Sequence, residues 1–182
     1  SCSSDFGKKA IIDRFKQIEP KVLLFSDYYF YNNKKIDTTK IIKEVLYNIP
    51  SIEKIILIPY EFNNVDYQLD FECDNLYNIL QQEIEYSKFE KFNFNHPLYI
   101  LYSSGTTGVP KCIVHSSGGA LIQHKKEHVL HCNINKGDRV FYFTTCGWMM
   151  WNWLVSSLAS KASIILYDGS PFIPDQKHLF EI

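Results

Sequence analysis

No apolar run in this chain approaches the roughly 18–20 residues that a bilayer-spanning helix needs. Charge of one sign is also scarce: 19 lysines and arginines face 20 aspartates and glutamates, leaving a net charge of −1 and no long single-sign stretch. These absences argue against a membrane span and against a nucleic-acid or anionic-membrane partner. Cysteine is sparse and odd in number, with Cys2, Cys73, Cys112, Cys132 and Cys146 lying far apart. That pattern suits neither a disulfide framework nor a four-cysteine zinc site, and it fits a reducing compartment, most simply the cytosol. The start carries neither an initiator Met nor a basic–apolar–small signal pattern, and Gln176–Ile182 reads as the opening turns of a helix. The expectation is an internal fragment of a longer protein. What remains, 46% apolar and 21% charged over 182 residues, is an ordinary globular mixture, enough for one domain with a substantial core.

Periodicity alternates between short apolar runs and helical spacing. Ala10–Ile18 predicts a helix stopped by Pro20, Lys21–Ser26 a strand, and Tyr31–Lys35 a turn. Thr38 or Thr39 caps a predicted helix through about Asn48, with Ile41, Ile42, Val45, Leu46 and Ile49 inward. Ile52–Ile58 is a strand, residues 60–73 are irregular, and Asp74 or Asn75 opens a helix to about Tyr86. The strand Leu98–Tyr102, a short extended piece Lys111–His115, and a helix from Ser116 or Ser117 to about His131 follow. Gly118 and Gly119 let that helix approach a neighbour. Then come a strand Arg139–Thr144, a helix Met150–Ser160, a strand Ala162–Tyr167 and a turn Asp168–Pro171. Such alternation predicts an α/β fold with a mainly parallel sheet and helices on both faces, where ligands bind at the carboxyl ends of strands.

One stretch carries chemistry. Pro97–Tyr102 is apolar, and Ser103-Ser-Gly-Thr-Thr-Gly-Val-Pro-Lys111 follows it directly. Gly105 and Gly108 permit close backbone approach and positive φ, while Ser103, Ser104, Thr106 and Thr107 offer neutral donors beside main-chain N–H groups. Lys111 adds a point charge on a flexible stem. This is the chemistry that holds a polyphosphate, although the loop is neither a Walker A motif nor Gly-x-Gly-x-x-Gly.

Tyr102–Lys111 resembles the phosphate-binding signature of the adenylate-forming superfamily of acyl-CoA synthetases. Within it the chain is similar to the acetoacetate–CoA ligase family, through Asp5-Phe-Gly7, Asp13–Lys21, Ile113–Ser116, Phe143–Asn152 and Leu166–Pro171. The likeness spans nearly the whole sequence. It implies that residues 1–182 are part of the large N-terminal AMP-binding domain of such an enzyme. The adenine-binding remainder and the C-terminal mobile domain are absent from this sequence. It also implies a reaction of acetoacetate, ATP and CoA giving acetoacetyl-CoA, AMP and pyrophosphate through an acyl-adenylate, with Mg²⁺ sharing the phosphate charge. By resemblance Ser103, Ser104, Gly105, Thr106, Thr107, Gly108 and Lys111 would hold the β- and γ-phosphates, and Gly147 and Trp148 would line the acyl pocket. For Trp148 the pocket reading is preferred over a plain core aromatic, whereas Trp151 and Trp153 read as core. No catalytic residue and no metal ligand is assigned, and the fragment by itself is expected to be inactive. Partners would be the carboxylate, ATP and CoA. The alternatives are a ligase for another short acid and a non-catalytic nucleotide-binding α/β module.

Two departures concern the related acetyl-CoA synthetases. Their Arg-Gly-Gly-Arg segment, which contacts CoA phosphates, corresponds here to Tyr31-Asn-Asn-Lys34, a solvated turn, and their CoA-contacting Thr corresponds to Met150. Among weaker candidates, His124, His128 and His131 fall on one helical face and read as partly exposed histidines rather than zinc ligands. His115 reads as a core or supporting histidine near the loop, and Asp66, Asp70, Glu72 and Asp74 as a solvated acidic loop.

Overall fold

The computed structural model describes residues 1–3, 5–31, 34–62, 69–82, 88–103, 108–172 and 177–180. Length suggested one domain. The chain instead falls into two units, Ser4–Lys88 with Thr107–Pro110, and Ser1–Ser3 with Phe89–Thr106 and Lys111–Ile182. Among the described residues the strands form four separate sheets, none of which joins the two units.

In the first unit, helix α1 (Lys8–Phe15) ends five residues before Pro20. Glu19, just before that proline, takes φ 45°, a left-handed conformation uncommon for a non-glycine residue. Strand β1 (Val22–Ser26) buries Leu23 and Phe25 and exposes Val22 and Leu24, the two-residue period of a sheet with one covered face. A hairpin follows, β2 (Tyr28–Tyr31) with β3 (Lys34–Asp37), antiparallel. Tyr31, Lys34 and Lys35, expected in a turn, are strand residues, and residues 32–33 lie outside the described residues. Helix α2 (Thr39–Asn48) buries Ile42 and Val45, with Ile49 just beyond its end.

The α2 cap differs from the expectation. Thr38 occupies the N-cap position, but its hydroxyl donates to the Ser26 carbonyl. The capping acceptor is the Asp37 carboxylate, 2.7 Å from the Thr39 N–H and 2.6 Å from the Thr39 hydroxyl. These bonds, the hydroxyl's first, hold the Asp37 pKa below its ordinary value.

Strand β4 (Lys54–Ile58) pairs in parallel with β1, Val22 opposite Lys54 through Ser26 opposite Ile58, and β5 (Asp74–Asn75) extends the sheet in parallel. The parallel expectation holds here. Asn75 caps α3 (Leu76–Leu80), accepting from the Tyr77 N–H at 2.9 Å. That helix is shorter than the run to Tyr86 that spacing suggested; residues 83–87 lie outside the described residues.

In the second unit, β6 (Pro97–Ser103) and β7 (Lys111–Ser116) form an antiparallel hairpin. Lys111–His115, expected as a short extended piece, is a full strand. The connection between Ser103 and Lys111 is too short for a crossover, so the chain must reverse rather than run parallel. For the same reason β6 is half-buried and exposed at Pro97 and Leu98, not the buried strand its apolar content implied.

Helix α4 (Ser117–Lys126) starts at the Ser116 cap and passes into a π-helical turn, Glu127–His131, closed by the Cys132 N–H on the Glu127 carbonyl at 2.9 Å. Strand β8 (Arg139–Val140), helix α5 (Met149–Ser156) with a 3₁₀ turn Ser157–Ser160, and β9 (Ser163–Ile164) complete the unit. β8 and β9 pair in parallel and are much shorter than the runs 139–144 and 162–167 suggested. Their core is Ile134, Val140, Leu154 and Ala162, with Trp151, Trp153 and Ile164 packed against it, as expected of those two tryptophans.

Candidate nucleotide and acyl site

The hairpin register places Ser103 directly opposite Lys111, with Tyr102 opposite Cys112 behind them. Two of the residues assigned to phosphate are therefore brought together, at the mouth from which the hydroxyl-rich loop emerges. Ser104, Gly105, Thr106 and Thr107 lie outside the described residues. Gly108 adopts φ 105°, a region that L side chains rarely enter, and among the described residues nothing lies within 4 Å of the position a Cβ would take. The glycine is needed there for its backbone angle, not for space. In the first unit, the Pro110 carbonyl accepts from Gln17 Nε2 at 3.0 Å.

His115 sits at the far end of β7, its ring 5.1 Å from that of its cross-strand partner Tyr99. Burial raises the Tyr99 pKa, so the phenol stays neutral at ordinary pH. Beyond it, α4 has already used its first amides. Ser117 N–H bonds the His96 carbonyl at 2.8 Å, Gly118 N–H the Phe94 carbonyl at 2.9 Å, and Gly119 N–H the Ser116 hydroxyl at 3.3 Å. A Cβ on Gly118 would lie 2.2 Å from the Phe94 ring, so the expected close approach is real. Phosphate therefore has the loop and Lys111 as candidates in this region, not the N-terminus of α4.

Trp148 is the N-cap residue of α5 and is 65% exposed, unlike Trp151 and Trp153. Its N–H bonds the Thr145 carbonyl at 3.1 Å, closing the turn that carries Cys146 and Gly147. Met150 is half-buried within α5. In the other unit, Lys35 places its ammonium 3.6 Å from the centroid of the buried Tyr28 ring, a cation–π contact rather than a loose surface charge.

His128 corrects the sequence reading. It is fully buried, and neither ring nitrogen has a hydrogen bond of ordinary geometry among the described residues. The π-helical turn shifts the helical register and delivers it inward, edge-on to Trp153 at 4.6 Å. His124 remains half-buried, with Nδ1 2.8 Å from the Ser156 hydroxyl, and His131 is exposed. Burial holds both the His124 and His128 pKa values below the usual imidazole range. Asp27, just past the carboxyl end of β1, was not singled out by its sequence. It is buried, accepts from the Tyr60 N–H at 2.8 Å, and leaves Oδ2 without a partner among the described residues. Its place at the end of an apolar run was the available signal.

The chain matches the AMP-binding enzyme family over residues 2–182. It is 46% identical to the acetoacetyl-coenzyme A synthetase of Rhizobium meliloti (strain 1021) and 43% identical to the acetoacetyl-CoA synthetase of Gallus gallus. In both alignments all of this chain is covered, and the chain spans 28% of the relative's length. The solved acetoacetyl-CoA synthetase from Streptomyces lividans superposes with a TM-score of 0.89 at 41% identity, over 98% of this chain and 27% of that one. With the family match running almost end to end, the chain belongs to the AMP-binding enzymes.

Proposed function

We propose that the protein containing this chain is an acid–thiol ligase that joins acetoacetate to CoA at the expense of ATP. The observation that carries this reading is the 41–46% identity, over essentially the whole chain, to proteins named acetoacetyl-CoA synthetase. A carboxylate is a poor electrophile. In the proposed sequence its oxygen attacks the α-phosphorus of ATP, the α–β bridge breaks, and pyrophosphate leaves. The CoA sulfur, having lost its proton, then attacks the acyl carbon, and AMP departs with the bonding pair. Both steps rest on positioning and charge stabilisation.

The 103–111 loop would take the pyrophosphate side, with Lys111 opposite Ser103 as its charged member. Trp148, exposed at the head of α5, would bound a short acyl group by its bulk. Magnesium would arrive with the nucleotide as part of the substrate. Among the described residues no group of three His, Cys, Asp or Glu side chains is suited to a metal ion. Adenine binding and the mobile small domain are assigned to parts of the protein outside this chain, which spans 28% of its relatives. A cytosolic location is proposed with them, in keeping with five cysteines that form no disulfide among the described residues.

The test is carboxylate-dependent ATP–pyrophosphate exchange by the full-length protein. Acetoacetate should support the fastest exchange. Acetate or propionate outperforming it would replace the substrate, and no exchange with any short acid would leave a nucleotide-binding module.

A further inference from the structure

Gly147, expected in the acyl pocket, is closely approached by the start of the chain. A Cβ built on Gly147 would lie 2.7 Å from the backbone nitrogen of Ser3, 3.2 Å from Ser3 Cβ and 3.4 Å from the Cys2 carbonyl carbon. The first distance is shorter than real Cβ contacts allow, and the obstacle is main chain, which cannot swing aside as a side chain can. A second contact holds the same pair of segments, since the Ser1 hydroxyl donates to the Cys146 carbonyl. The tripeptide Ser1–Ser3 accordingly belongs to the second unit, while the residues that follow it belong to the first. The turn on which it lies is the one that ends at Trp148, the cap of α5.

We infer that Gly147 is a positioning residue: its missing side chain seats Ser1–Ser3 on the turn before Trp148, and that tripeptide governs which acid the Trp148 site accepts. This rests on the ligase reading given above. A methyl group at Gly147 must displace either the tripeptide or the turn, and either shift changes the space beside Trp148. A larger side chain at Ser3, whose Cβ already faces the turn, must push on the same contact from the other side. The Lys111 side of the reaction has no part in this packing, so ATP should not register the change.

Steady-state kinetics of the full-length protein test this with Gly147→Ala, Ser3→Val, and Gly147→Ala combined with Ser3→Gly. Gly147→Ala and Ser3→Val should each raise KM for acetoacetate about ten-fold with KM for ATP unchanged. Ser3→Gly removes only the 3.2 Å neighbour and leaves the main-chain obstacle at 2.7 Å, so the combined variant should keep most of the Gly147→Ala loss. Should Gly147→Ala fail to fold, Ser3→Val carries the same prediction. An unchanged acetoacetate KM in a folded variant overturns the inference, as does a parallel rise in both KM values or full recovery in the combined variant. Wild-type protein inert towards every acid defeats the ligase reading instead, a result separate from any of these.

Discussion

Gly108 and His128 each hold a state that few other residues would tolerate. A β-branched side chain at Gly108 would have to adopt φ near 105°, at a cost of roughly 1–3 kcal/mol in local strain. Gly108→Val should therefore raise KM for ATP and lower the thermal midpoint by a few degrees while the protein stays folded; unchanged nucleotide kinetics would make the loop structural. Lys111→Ala should raise KM for ATP roughly ten-fold or more by removing a charged hydrogen-bond donor. His128 and its neighbour His124 set a pH dependence. Burial favours the neutral ring in the folded protein, and His128 also faces Lys125, opposed by Glu127. His124 faces His128 and His115, again opposed by Glu127. With folded pKa values lowered from 6.5, their contribution is complete above about pH 6.5 and is lost as pH falls towards the lowered values. Urea midpoints of the full-length protein at pH 7.5 and 5.5 should differ in that direction, and His128→Phe should shrink the difference. The burial of His128 was not legible in sequence. Spacing places His124, His128 and His131 on one face only if the helix stays α-helical, and the π-helical turn at Glu127 breaks that assumption.

At the scale of elements, sequence served best where one signal dominated. Helix α2 shows its inward face at Ile42, Val45 and Ile49 because the apolar stripe is regular, and β1 and β4 lie between clear breakers. The polar partners that decide ends are non-local and left little trace. Thr38 gives up capping to reach Ser26 across the sheet edge, and Asp37 supplies the cap instead. Arg139–Thr144 has strand-like residues but lacks a ladder partner beyond Val140, so only two of them pair with β9. The hairpin β6–β7 placed Ser103 and Lys111 together, which their spacing in the motif implied without fixing the geometry. The α4 cap offers a direct test. Ser116→Ala removes the acceptor for the Gly119 N–H and should cost about 1 kcal/mol, read as a lower denaturant midpoint.

Across the whole molecule, the apolar surface is the informative quantity. Leu121, Ile122, Leu130, Leu166 and Phe172 are each more than half exposed, far beyond the scattered apolar residues a self-contained surface carries. The chain spans 28% of the length of the curated relatives it matches. Produced alone, residues 1–182 should self-associate, measured as concentration-dependent light scattering; a clean monomer would show that the exposed side chains need no cover. The family was legible from the loop and its flanking segments, whereas the division into two units was not, because it depends on which strands pair. The spent amides of α4 have an evolutionary consequence. Two of the three acceptors, at Phe94 and His96, are main-chain carbonyls that survive a change of side chain, whereas the Gly119 N–H depends on the Ser116 hydroxyl; exchange between relatives is therefore freer at His96 than at Ser116.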